Sequence, residues 1–417
     1  MVARPGVRLA RIESVLVALV LLLYFVHRIP QVAFFPDESQ WIYSSVAFEQ
    51  FVKLRWSSPV WNEHYWTLTQ PPVTRYVIGL GRRLGGYTTV NAPWRFYLTQ
   101  EENVERGAMP SPGLLWWSRL PMAVLAALSC WAWYLWLRQA FGRASAWIWL
   151  AECLVSSYWS KTLGKAMAEA PVLAALTAAV WVGQRALSSN SRRVALAWLL
   201  VFGLLAGTAG AIKLNGLALV GSGLVLAGAV ARRGSGSLRS RAAFIGAVAL
   251  LLTTAALVAF VLWNPFLYRD PVGRGIKMFE QRLNEMEQQA SDYPTAVMPA
   301  GWGRWTTLLF DLARKDAPLP LAALLPVNLA LALIGLWRLL RGASDWLAGH
   351  HAQPLHLVVV AAVAGTSIPA LLTRLDWQRY LLIPELLLML LLAISVGWLS
   401  DRLFSIGRGM CTRPAAA

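Results

Sequence analysis

Charge is scarce in this sequence. Of 417 residues, only 14% are Asp, Glu, Lys or Arg, where a soluble globular domain carries about 25%. So few charges exclude an ordinary water-facing surface. Cysteine is scarcer still, at three in all. Cys130 and Cys153 lie within apolar runs and Cys411 in the C-terminal tail. That spacing excludes a disulfide framework and a cysteine-rich metal site; Cys130 and Cys153 read as small apolar side chains. No fixed period repeats along the chain and no stretch reads as a second soluble domain, so 1–417 reads as one integral-membrane unit. No small-x-small cleavage site follows the first apolar run. His27-Arg28-Ile29-Pro30 follows instead, and the run reads as a retained first helix.

What is present is grease and tryptophan. The chain is 57% hydrophobic and holds 22 Trp, a residue that favours the membrane–water interface because its ring is apolar and its N–H is wet. The expected fold class is an all-α polytopic membrane protein. A bilayer core takes about 20 apolar residues per helix. Ten spans are expected, near 13–30, 114–137, 144–160, 168–187, 194–212, 214–231, 242–264, 318–338, 355–373 and 379–399.

The net charge of +17 would point to nucleic acid in a soluble protein. Here the basic residues fall in alternate loops. Arg138 and Arg143 follow the second span, Arg185, Arg192 and Arg193 the fourth, and Arg232, Arg233, Arg239 and Arg241 the sixth. Arg338 and Arg341 follow the eighth, and Arg402, Arg408 and Arg413 the tenth. Basic loops of that kind face the cytoplasm. They account for the charge without a nucleic-acid partner, and they place both termini inside, in a bacterial-type inner membrane. Two long segments, about 31–113 and 265–317, then lie outside with most of the remaining acids.

The first of these, from Asp37 to Lys53, is aromatic and apolar and free of Pro and Gly; in residues 71–83, Pro71-Pro72 is followed by Val73, Tyr76, Val77 and Leu80 at helical spacing. In the second, Ile276, Phe279, Leu283 and Met286 share one face. All three read as helices lying along the membrane surface. The first opens with Pro36-Asp37-Glu38. Acids at a helix start gain about 0.3–1 kcal/mol from the helix dipole, which is one explanation of the pair. The other is chemistry, because ionisable groups at membrane depth tend to mark function.

The order of motifs favours chemistry. Pro36-Asp37-Glu38-x-x-Trp41 is followed by Tyr65-Trp66, Gln70-Pro71-Pro72-Val73 and Tyr76. Lys165-Ala166-Met167-Ala168-Glu169 then opens the fourth span, GTAGAIKLNG joins the fifth and sixth, and Arg379-Tyr380-x-x-x-Pro384 opens the last. This series resembles the membrane glycosyltransferases of the GT-C fold, in particular the bacterial relatives of protein O-mannosyltransferases and of lipid A aminoarabinose transferase.

The resemblance implies transfer of a sugar from a polyprenyl-phosphate donor to an envelope acceptor (lipid, glycan or protein) at the external face. It implies Asp37 as general base, with Glu38 and Glu169 in support. The donor phosphate needs cations. Lys213, Arg374 and Arg379, then Lys165 and Lys161, are the candidates, each set against simple snorkelling at the interface. Gln70, Tyr76 and His64 are further substrate-side candidates. No metal ligands are assigned, since no D-x-D stands in the external loops; a divalent cation stays open. The rival readings are a polytopic transporter or lipid flippase, and a family member that binds polyprenyl lipid without catalysis.

Overall fold

The structure is a computed structural model that describes residues 5–233, 237–314, 325–350 and 353–411. Residues 315–317 of the second external segment and 318–324 of the eighth expected span lie outside the described residues. In chain order the helices are α1 (Pro5–Arg28), α2 (Pro36–Ser44), α3 (Ala47–Val52), α4 (Tyr65–Thr69), α5 (Pro72–Leu84), α6 (Gln100–Glu105), α7 (Pro112–Phe141), α8 (Arg143–Val155) and α9 (Ser157–Leu163). They continue with α10 (Glu169–Ser188), α11 (Arg192–Ile212), α12 (Leu219–Arg232), α13 (Leu238–Trp263), α14 (Pro271–Asp292), α15 (Trp302–Arg314), α16 (Leu325–Leu347), α17 (Leu355–Leu371) and α18 (Leu382–Cys411).

Among the described residues, eight helices are long and apolar enough to cross a membrane: α1, α7, α10, α11, α12 with its 3₁₀ lead-in, α13, α16 and α18. The third and ninth expected spans are helical but divided. At Ser156 the backbone is extended (φ −65°, ψ 110°), and the side chain accepts the Trp159 N–H at 3.1 Å to start α9. α17 contains a π turn at Val360–Ala364, with Pro369 in its last turn. α16 runs on to Leu347, past the expected end at 338. Arg338 lies over the Trp398 ring at 5.2 Å and Arg341 over Trp337 at 5.4 Å. The basic residues thus ride on aromatic faces and do not end the helix.

α18 and α10 are buried over most of their spans, whereas α1 exposes Leu16, Leu19 and Leu23 as a lipid-facing helix would. Small residues let backbones approach closely inside a membrane bundle. A Cβ at Gly207 of α11 would lie 2.0 Å from the Ala256 carbonyl oxygen of α13. Not all the tryptophan is interfacial. Trp133, Trp149 and Trp159 are fully buried, and their N–H groups donate to Thr177 Oγ1 (3.2 Å), Cys130 O (2.9 Å) and Cys130 Sγ (3.2 Å). Each buried ring keeps a hydrogen-bond partner, as burial requires.

The first long segment, 31–113, is a packed layer on one end of the bundle. The helix expected from Asp37 to Lys53 is two helices, α2 and α3, joined by a turn at Ser45–Val46. α5 is clamped beneath them. A Cβ at Gly79 would meet Phe48 Cβ at 2.4 Å, and one at Gly81 would meet the Trp117 carbonyl of α7 at 2.3 Å. Arg82 of α5 is wholly buried; it pairs with Glu49 and donates to Tyr87 O at 2.7 Å. Downstream, Asn91 Nδ2 donates to Ser39 Oγ at 2.8 Å and ties the returning chain to α2. α14 lies over this layer.

Candidate functional site

Pro36 occupies the first turn of α2, where its missing N–H costs nothing. Asp37 and Glu38 follow one another around that turn and so point in different directions. Glu38 points inward and is wholly buried. Its Oε1 accepts from Arg119 Nε and from the Ala166 N–H, both at 2.8 Å. Its Oε2 accepts from Arg119 Nη2 at 2.6 Å and from the Phe35 N–H at 3.0 Å. Arg119, on α7, also donates to Ile29 O (3.0 Å), Val32 O (2.7 Å) and Ala33 O (3.2 Å). One carboxylate and one guanidinium therefore join the end of α1, the start of α2, α7 and the turn before α10.

Asp37 points the other way, into a cavity of about 750 Å³. There it pairs with Arg379, which the 3₁₀ turn Gln378–Leu381 presents just ahead of α18. The guanidinium is boxed by Trp377, Tyr380 and Phe35, at 4.8, 5.4 and 5.8 Å from the ring centroids. A second pair lines the same cavity. Lys213 Nζ lies 3.4 Å from Glu169 Oε1 and 5.3 Å above the Tyr380 ring. Local folding places both members. Glu169 starts α10 after the turn that Glu38 grips, and its Oε2 is buried with no hydrogen bond. Lys213 is extended (φ −154°, ψ 129°) between α11 and a 3₁₀ turn. That turn closes only because residue 216 is glycine: a Cβ there would lie 2.4 Å from Ala209 O.

Of the residues singled out from sequence, Asp37, Glu169, Lys213, Arg379 and Gln70 come together around this cavity. Gln70 Oε1 accepts from Ser44 Oγ at 3.0 Å. The others stand elsewhere. Tyr76 packs on Phe51 (centroids 4.4 Å apart) and donates to Trp263 O at 2.9 Å. His64 caps α4: Nδ1 accepts the Thr67 N–H at 3.3 Å and Nε2 lies 3.1 Å from Val60 O. Burial, with help from the Arg75 charge, holds its pKa below the ordinary value. Lys165 Nζ sits 4.5 Å from the Phe35 ring centroid, and burial lowers its pKa against the pull of Glu38 and Glu169. Lys161 is exposed on α9. Arg374 is exposed too, 4.0 Å from Glu287. Among the described residues, no three His, Cys, Asp or Glu side chains gather into a metal-sized group.

Two cavity residues, Arg282 and Glu285, stand in none of the motifs; the structure joins them to Tyr65 and Tyr380, which do. Tyr65 donates to Glu285 Oε1 at 2.9 Å. Arg282 donates to Glu285 Oε2 at 2.5 Å and to the Tyr380 hydroxyl at 3.0 Å. Arg119 did carry a sequence signal: an arginine inside an apolar span needs a buried partner.

No family model matches the sequence, and no curated protein matches it. Among solved structures, the chain is similar to ArnT from Cupriavidus metallidurans bound to undecaprenyl phosphate. The TM-score is 0.51 at 18% identity, over 92% of this chain and 59% of that one. The fold is GT-C. Two other GT-C structures score lower. The Saccharomyces cerevisiae protein O-mannosyltransferase Pmt1-Pmt2 complex, bound to the sugar donor, has a TM-score of 0.40 at 16% identity, over 62% of this chain and 34% of that one. The Archaeoglobus fulgidus oligosaccharyltransferase in the apo form has 0.47 at 14% identity, over 97% and 53%. The chain thus spans less than two thirds of the length of each. In this chain the spanning helices are a frame, and their ends and the segments between them line the cavity.

Proposed function

We propose that the protein is a glycosyltransferase that takes a sugar from a polyprenyl-phosphate donor and passes it to an envelope acceptor at the external membrane face. One observation carries the reading. Asp37 and Arg379, 342 residues apart in sequence, meet at the wall of one cavity, beside the Lys213–Glu169 pair. A carboxylate next to two cations suits this reaction. Asp37 takes the proton of the acceptor hydroxyl or amine. The acceptor atom bonds to the anomeric carbon from the face opposite the leaving group. The carbon–oxygen bond to the phosphate breaks, and the departing polyprenyl phosphate keeps the electron pair. Arg379 and Lys213 meet its developing charge, Arg379 in two-pronged fashion and Lys213 as a point charge. Glu169 orients Lys213, and the Glu38–Arg119 clasp holds the helix start that aims Asp37.

The test uses purified protein and a polyprenyl-phosphate sugar. Transfer, or slow hydrolysis of the donor, is expected. Asp37→Asn should lower the rate by at least about 100-fold, the usual contribution of a general base, and leave binding of the polyprenyl phosphate intact. Equal turnover in that variant would remove Asp37 from its role. Donor-independent uptake of substrate into vesicles would replace the transferase reading with a transporter.

A further inference from the structure

α14 turns its polar side to the cavity and most of its apolar side away, with Met286 of the apolar stripe also reaching the cavity. Gln281, Asn284, Glu285, Gln288, Gln289 and Asp292 line the cavity. At 100° per residue they share one face of the helix, and the exposed Ile276, Phe279 and Leu283 form a stripe on the opposite one. The polar face therefore borders a walled volume that also holds Asp37.

This wall is held rigidly. Glu285 accepts from Tyr65 and Arg282, and Arg282 reaches Tyr380 on the other side. It is also near the base: the Tyr65 hydroxyl is pushed up first by burial and then by the charges of both Glu285 and Asp37. Gln289 donates to Glu285 Oε1 at 3.4 Å, but its own Oε1 is buried with no hydrogen bond. Where α14 ends, aromatic rings form a step. Trp377 and Tyr380 stack with centroids 5.7 Å apart at 24°, and Tyr293 meets Trp377 edge-on at 5.8 Å.

The chemistry of this wall is specific in kind. Arg282 is already paired with Glu285, so the wall offers no free cation from α14 to a second phosphate. Amides and carboxylates side by side both give and take hydrogen bonds, as adjacent hydroxyls require. Trp377 and Tyr380 carry Arg379 and Lys213 on their faces, so the exposed Tyr293 ring, backed by Trp377, is the part of the step that takes the apolar face of a sugar. A serine or threonine hydroxyl would use one of these groups; a pyranose uses the set. We propose that α14 and the Trp377–Tyr380–Tyr293 step seat a sugar ring of the acceptor, so that the acceptor is a glycan or glycolipid. The proposal rests on the transferase reading for the position of the donor phosphate, at Arg379 and Lys213.

The test uses the full chain in nanodiscs, with methyl pyranosides as probes and saturation-transfer NMR as the readout. Methyl glucoside, mannoside and N-acetylglucosaminide are compared with a serine-containing tripeptide. At least one pyranoside should receive saturation and the tripeptide none, and the signal should persist under saturating polyprenyl phosphate. Gln289→Leu should weaken pyranoside binding about fivefold, the effect of one lost hydrogen bond, with thermal midpoint unchanged. Tyr293→Leu should weaken it further. Three results would overturn the seat: no pyranoside binding, binding unchanged in both variants, or pyranoside displacement by polyprenyl-phosphate sugar but not by bare polyprenyl phosphate. The last would give the seat to the donor's own sugar. Gln289-dependent pyranoside binding in a protein that takes no polyprenyl phosphate would support the seat and count against the donor reading alone.

Discussion

Two neighbouring carboxylates take opposite parts in this protein. Asp37 faces the cavity, and Glu38 is fully enclosed with four hydrogen bonds, two of them from Arg119. Removing one member of a buried pair leaves the other charged without a partner, at a cost of about 3–5 kcal/mol. Arg119→Met should therefore lower the thermal midpoint in detergent sharply and reduce the yield of folded protein. Adding Glu38→Gln to it should recover part of the loss, because the stranded charge is gone. If the double variant is no more stable than the single one, Glu38 and Arg119 are not acting as a pair. The adjacency of Asp37 and Glu38 was plain in the sequence. Their division of labour was not, because it depends on a guanidinium 81 residues away.

Short elements between the spanning helices hold the cavity wall, and α4 is the clearest case. It has five residues, too few to be stable alone, and depends on its cap. His64 caps it through Nδ1, which must be unprotonated to accept the Thr67 N–H. Burial keeps the folded pKa below the ordinary histidine value of about 6.5. As the pH falls below about 6.5, the unfolded segment takes up a proton before the folded one does, so stability is lost. The protection factor of the Thr67 amide, its exchange rate relative to that of an unstructured amide at the same pH, should be high at pH 7.5 and markedly lower at pH 5.5. His64→Asn, which keeps a capping side chain, should remove that pH dependence; an unchanged dependence would place its origin elsewhere. Hydropathy foresaw α5 and α14 but not the break at Ser156 or the π turn in α17. A window average responds to how greasy a stretch is, and neither feature changes that average.

At the scale of the whole molecule, the bundle has two unlike ends. Glu169 opens α10 at the cavity and Arg185 lies in its last turn; Arg232 likewise ends α12 at the far end from Lys213. The basic-loop rule then predicts which end faces out. In a background with Cys411 replaced by Ser, an impermeant maleimide should label Asn62→Cys in intact cells. It should label Ser189→Cys only after permeabilisation. The reverse pattern would turn the protein over and move the cavity to the inner face.

Composition and order alone settled that the chain is an all-α membrane protein with one acidic, aromatic end, because hydropathy and loop charge are properties of the chain taken a stretch at a time. They also brought Asp37, Glu169, Lys213 and Arg379 to notice through the motifs that hold them. What only the tertiary structure decided is which charges meet. The Asp37–Arg379 pair, the Glu38–Arg119 clasp and the polar wall of α14 each join segments far apart in sequence. Contacts of that range are set by how the helices pack.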